Sequence, residues 1–195
     1  MPPMSTRTFI AVELPDVARA ALQTHVVRLS HALPRMRFQP PSSPHLTLAF
    51  LGELDDEQLA AATQAAITAA PTVPPFTLTV AGLGIFGPPY APRVLWCGVG
   101  GDIAALLRLQ AVLADRLEAA GFPREPRPFA PHLTLARFKQ PLDPAALQRL
   151  TGILSTPSTT QTSFVVESLS VMKSELLRPA ARYTRLRACP LGAHP

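Results

Sequence analysis

Cysteine is nearly absent from this chain of 195 residues: only Cys97 and Cys189 occur. Two thiols exclude a disulfide scaffold and any all-cysteine zinc site. Lysine is equally scarce, with Lys139 and Lys173 beside sixteen arginines. That bias suits a phosphate-bearing partner, and a GC-rich genome explains it as well. No apolar run approaches the roughly 18 residues of a membrane span. The opening stretch MPPMSTRTFIAVEL carries no signal-peptide pattern. The expected location is the cytoplasm, with no membrane partner. Charged residues make up 16% and apolar residues 47%, a balance that excludes a disordered chain. H-x-H, HExxH and clustered Cys/His spacings are missing too, so neither metal nor cofactor is expected. Proline is in excess, at 23 residues. The prolines lie between apolar segments and act as punctuation, not as a linker.

That punctuation divides the chain into short elements. Thr6 to Leu14 alternates apolar and polar residues and predicts a strand. A helix follows from Asp16, its expected cap, to about Leu33, with Val17, Ala20, Ala21 and Val27 on its apolar stripe. Arg35 to Gln39 is a possible short strand. His45 to Leu51 predicts a strong strand, and Asp55, Asp56 and Glu57 open a second helix. Phe76 to Leu83 predicts another strand, and Gly84 to Pro92 a candidate flexible binding loop. Arg93 to Val99 is a strand, Ile103 to Ala120 a helix, and His132 to Phe138 a strand. Asp143-Pro144 starts a short helix. Phe164 to Lys173 and Ala181 to Ala188 read as a final hairpin.

The order strand, helix, proline-rich turn, PHLTLA occurs twice, ending at Pro44–Ala49 and again at Pro131–Ala136. The repetition predicts an α+β fold. Residues 1–195 would form a single bilobal domain, with two pseudo-symmetric α/β lobes whose antiparallel sheets line a central cleft. A solenoid needs at least three repeats, and only two are present. In a strand, side chains alternate faces. His45, Thr47 and Ala49 therefore share one face, and Leu46, Leu48 and Phe50 the other. The second copy repeats this with His132, Thr134 and Ala136 opposite Leu133 and Leu135. Each motif buries leucines in its lobe. Each also presents an imidazole and a hydroxyl, roughly 7 Å apart, to the cleft.

A single His-x-Thr in a strand is common and carries no message. Duplication with identical flanks is different, because packing alone would retain leucines across copies more readily than polar residues. Two imidazoles that titrate near neutrality suit acid–base cleavage of a phosphate ester. One takes a proton from water and the other gives a proton to the leaving oxygen. The threonine hydroxyls stabilise charge on the phosphoryl oxygens. A strained five-membered 2′,3′-cyclic phosphate is reactive enough to need no Lewis acid.

The two HLTL motifs resemble the signature of the two-histidine phosphoesterase superfamily. The segments TFIAVELP, HLTLAFLGEL, PRVLWCGV, RPFAPHLTLARF and SELLRPAARYTRL are similar to one branch of it, the RNA 2′,3′-cyclic phosphodiesterases, also called 2′-5′ RNA ligases. These segments run from Thr6 to Leu186, nearly the whole chain. The resemblance implies metal-independent hydrolysis of an RNA 2′,3′-cyclic phosphodiester to a 2′-phosphomonoester. It implies that His45 is the proton donor to the 3′ oxygen and His132 the acceptor from water, with Thr47 and Thr134 on the phosphate. Arg137, five residues after the second histidine, is similar to a phosphate-holding position, although strand parity puts it on the leucine face. Arg127, in the proline-rich turn, is a second candidate. Phe50 and Phe129 are candidates to stack on a base. His25, His31 and His194 read as surface residues. The expected partner is an RNA or nucleotide ending in a 2′,3′-cyclic phosphate, and nothing calls for more than a monomer.

Two alternatives remain at this point. A 2′-5′ RNA ligase would run the same acid and base in reverse, joining the cyclic end to a 5′-hydroxyl. A non-catalytic RNA-end binding module would have no need for two titrating groups.

Overall fold

The computed structural model describes residues 5–40, 44–156, 161–177 and 181–192. Strand β1 (Thr6–Glu13) leads through α1 (Asp16–Ala32) to β2 (His45–Leu54) and α2 (Asp56–Ala69). A single 3₁₀ turn (Ala70–Thr72) precedes β3 (Phe76–Phe86) and β4 (Val94–Gly101). Then come α3 (Ile103–Ala119), β5 (His132–Arg137), α4 (Pro144–Leu154), β6 (Thr162–Val166), β7 (Ser168–Glu175) and β8 (Arg182–Pro190).

Aspartates start three of the four helices. The Asp55 carboxylate accepts from the Gln58 N–H while the Gln58 side chain accepts from the Asp55 N–H, closing a capping box on α2. Asp102 and Asp143 accept from the Ala105 and Ala146 amides, and Pro144 occupies the first turn of α4, where its missing donor costs nothing. In α1 the cap position belongs to Pro15 instead. Asp16 lies inside the first turn, where it pairs with Arg19 at 2.9 Å.

Two antiparallel sheets result, ordered β2-β1-β7-β8 and β5-β4-β3-β6. The orders correspond strand for strand, and the two HLTL strands, β2 and β5, are equivalent edge strands. The fold is α+β with two similar lobes meeting at a central cleft. The segment expected as one strand from Phe164 breaks at Glu167, because β6 pairs with β3 in one sheet and β7 with β1 in the other. β7 and β8 form the closing hairpin. The strand β3 extends to Phe86, so the expected loop from Gly84 begins only after that residue. Arg35 to Gln39 forms no strand, but Phe38 bridges to Ala136 and the Gln39 N–H donates to the Leu135 carbonyl at 2.7 Å. The first repeat is thereby tied to the HLTL strand of the second.

The leucines of both motifs, Leu46, Leu48, Leu133 and Leu135, are buried in one continuous core that also takes in Leu106, Leu109 and Leu113 of α3. The buried stripe of α1 is Ala18, Ala21, Leu22, His25 and Leu29. Val17 and Val27, expected on that stripe, are exposed. The helix is rotated because it packs against β3, β6 and α4. His25, expected at the surface, is consequently buried.

Candidate active site

His45 and Thr47 on β2, and His132 and Thr134 on β5, line a single concavity with Arg137 and Tyr183. Its volume is about 90 Å³, against roughly 30 Å³ for one water in the liquid. That is room for a phosphoryl group and an attacking water.

The register of the sheets explains how Arg137 reaches this space. Along β1 and β2, Ala11 pairs with Thr47 and Ile10 with Ala49, so Leu48 is skipped. Along β4 and β5, Trp96 pairs with Thr134 and Leu95 with Ala136, so Leu135 is skipped. Both HLTL motifs thus carry a β-bulge at the same leucine. An extra residue resets the alternation of side chains, and cross-strand partners share a face. Arg137 pairs with Val94, two residues from Trp96, and so lies on the Thr134 face. Phe50 pairs with Phe9, two residues from Ala11, and so lies on the Thr47 face. The parity argument that placed Arg137 and Phe50 with the leucines fails for this reason. Ala49 and Ala136 move the other way, onto the core. A second bulge at Leu51 follows, next to Gly52, whose φ of 78° suits glycine.

The two imidazoles sit in different surroundings. His45 stacks on the Phe9 ring at 4.4 Å and meets the edge of Tyr183 at 4.9 Å. His132 meets the Phe86 ring edge-on at 4.7 Å, and its Nδ1 lies 2.8 Å from the Ala130 carbonyl. A carbonyl only accepts, so Nδ1 of the neutral ring carries the hydrogen and Nε2 keeps its lone pair. Ala130 precedes Pro131, which holds its backbone extended. Trp96 packs between Phe86 and the bare backbone of Gly84, where a Cβ would stand 2.3 Å from the indole.

Tyr183 stands near arginines of both lobes. Burial pushes its phenol up, and the nearby positive charges of Arg137 and Arg7 oppose that shift. Arg7 lies over the Phe50 ring at 4.7 Å, and Phe50 itself is 57% exposed. Among the described residues, no group of three or more His, Cys, Asp or Glu side chains is placed to hold a metal ion.

The sequence model of the 2′-5′ RNA ligase superfamily matches residues 15–177. The chain belongs to this superfamily. It is 34% identical over 190 residues to an RNA 2′,3′-cyclic phosphodiesterase of Geobacillus stearothermophilus, covering 96% of this chain and 58% of that protein. The chain thus spans little more than half the length of that relative. A Thermus thermophilus protein of the same name is also 34% identical, over 96% of this chain and 92% of its own length. In three dimensions the chain is similar to Escherichia coli LigT in complex with 3′-AMP. Their TM-score is 0.74 at 27% identity, covering 96% of this chain and 99% of LigT.

Within this superfamily member, the cleft does not gather every residue singled out in the sequence. Arg127 does not line it; its guanidinium lies on Glu125 at 2.7 Å in the exposed turn before β5. Phe129 packs against the main core. His31 is exposed, and His194 is outside the described residues. Phe9, Phe86, Arg7 and Tyr183 were not singled out. Tyr183 lies in the closing ARYTRL stretch, and Phe9 in the alternating TFIAVEL strand. Neither pattern says which ring such a residue will touch.

Proposed function

We propose that this chain hydrolyses the 2′,3′-cyclic phosphodiester end of an RNA to a 2′-phosphomonoester, using two histidines and no metal. The observation that carries the reading is the single concavity lined by both His-Thr pairs and Arg137. Homologues named RNA 2′,3′-cyclic phosphodiesterase, similar over most of this chain, support the same substrate.

In this mechanism Nε2 of His132 accepts a proton from the attacking water. The water oxygen forms a new bond to phosphorus as the bond to the 3′ oxygen breaks. His45, entering as the imidazolium, donates a proton to that departing oxygen. Thr47, Thr134 and Arg137 hold the non-bridging oxygens, where negative charge grows. Phe50 offers a ring to the terminal base. Ligation would use the same two groups in reverse, with a 5′-hydroxyl in place of water. Residues 1–195 act as one bilobal unit, a monomer in the cytoplasm whose partner is the RNA or nucleotide end.

The test is incubation with an RNA bearing a terminal 2′,3′-cyclic phosphate in the presence of EDTA. The expected product is the 2′-phosphate, formed at the same rate with and without chelator. A 3′-phosphate would reverse the leaving oxygen, and loss of activity in EDTA would overturn the metal-free reading.

A further inference from the structure

An open groove of about 1430 Å³ runs from the dyad across the surface. It reaches His45 and Thr47 but not His132 or Thr134. Compact pockets for drug-sized ligands occupy about 300–1,000 Å³, so this space exceeds what one nucleotide needs. The groove is also lined by the connection after α1, with Arg35 and Arg37, by the connection after β5, with Lys139, and by Arg149 of α4, whose Nε donates to the Ala32 carbonyl at 2.8 Å. All four are exposed. Among the described residues none of the four forms a salt bridge. Arg7, which also lines the groove, stands 4.0 Å from Glu53, and Arg19, Arg124, Arg127, Arg182 and Arg185, which do not line it, each lie against a carboxylate. Among the described residues Asp143 is the only carboxylate lining the groove, and it is engaged as the cap of α4. Unneutralised cations along an open channel are the footprint of a polyanion.

The chemistry fixes which side that polyanion must occupy. In a cyclic end the leaving 3′ oxygen stays on the ribose, and the ribose carries the rest of the RNA through its 5′ oxygen. The chain of the substrate therefore lies on the side of the proton donor, and water enters from the side of the base. Resting on the proposed activity, we infer that the groove holds the single-stranded RNA immediately 5′ of the cyclic end. Arg35, Arg37, Lys139 and Arg149 contact its successive phosphates. The enzyme then selects oligomeric ends over free cyclic mononucleotides. The same arrangement agrees with His45, at the mouth of the groove, as the acid.

Two substrates test this, 2′,3′-cyclic AMP and a hexaribonucleotide ending in a 2′,3′-cyclic phosphate, each at 50 and 200 mM salt. For wild type, kcat/KM is expected to favour the hexamer at least tenfold at low salt, with the advantage shrinking at high salt. Changing Arg35, Arg37 and Lys139 together to Gln should lower kcat/KM for the hexamer about tenfold and leave the mononucleotide within twofold. Equal losses on both substrates, or no loss on the hexamer, would overturn the track. Fluorescence anisotropy with 5′-labelled hexamer reads the track without chemistry. Three lost contacts should reduce the slope of log affinity against log salt by about 2. An unchanged slope would overturn the inference even if the enzyme is active. A reduced slope without hydrolysis would uphold the track and reject the proposed reaction.

Discussion

His45 and His132 come from identical hexapeptides, and different rings pack on them: Phe9 and Tyr183 against His45, Phe86 against His132. Nδ1 of His132 lies 2.8 Å from the Ala130 carbonyl, which in the proposed mechanism leaves Nε2 to accept a proton. His45 is packed between Phe9 and Tyr183 at the mouth of the long groove. Replacing either histidine by Ala should remove most of kcat. The wild type should show a bell-shaped dependence of kcat/KM on pH, the signature of one acid and one base. Each variant should lose one limb in whatever activity remains, and a full bell retained in either would reject the pairing. Thr47→Ala and Thr134→Ala should each cost about 2–4 kcal/mol of transition-state stabilisation, as single oxyanion donors do, measured as kcat/KM on a cyclic-phosphate RNA. Arg127→Ala, its side chain lying on Glu125 outside the cleft, should leave that ratio unchanged. Strong inhibition by this change would reinstate the turn as part of the site. The histidines and threonines were legible because a duplicated polar pair has no packing explanation. Arg127 and Arg137 were not separable in sequence, since an arginine in a turn and one in a strand both suit phosphate until their neighbours are known.

At the scale of the element, the paired bulges at Leu48 and Leu135 do what neither motif shows as a string. Strict alternation would place Arg137 and Phe50 with the leucines. One unpaired residue per strand turns Arg137 toward the concavity of the two histidines and Phe50 toward the open groove beside it, while the leucine itself stays in the core. The second lobe adds a stacked support in which Phe86 leans on His132 and Trp96 fills the space over Gly84. Gly84→Ala would drive a methyl into the indole. The expected cost is about 1–3 kcal/mol of overpacking, read as a lower melting temperature, with a fall in kcat as Phe86 shifts. Unaltered stability and turnover would show that the indole moves aside freely. The start of α4 was readable because Asp143 followed by Pro144 is local chemistry, whereas Pro15 and not the expected Asp16 holds the cap position of α1. The face of α1 was not readable, because its rotation is set by β3, β6 and α4, which lie far along the chain.

At the scale of the whole molecule, both lobes share one core, and titration of buried groups should be felt globally. Burial pushes the Cys97 thiol up to about 12 from 9.0. The folded form holds this proton at pH values where the unfolded chain has released it. The stability from this group is therefore full below about pH 9 and falls as pH rises toward 12. Tyr183, also shifted up by burial, acts with the same sign above its ordinary value of 10. Urea unfolding at pH 7, 9 and 10.5 should show falling stability across the upper interval. Cys97→Ser should flatten the fall. Native protein at pH 8 should resist thiol reagents at Cys97 and react on unfolding.

The lobed α+β plan, the Asp143-Pro144 start of α4 and the pairing of each histidine with its threonine on one strand face were determined by the sequence alone. Each depends on periodicity, local hydrogen bonding or exact repetition, all of which act over a few residues. Tertiary structure decided the rest. The bulges that bring Arg137 and Phe50 onto the faces of Thr134 and Thr47 exist only once β1 and β4 impose a register. The split of β6 from β7 arises because their partners lie in opposite sheets. Tyr183 reaches His45 only because β8 closes the first sheet, some 138 residues beyond the histidine it touches. A side chain's role in a cleft depends on which face it takes and which charge stands beside it, and both are properties of pairing between distant segments.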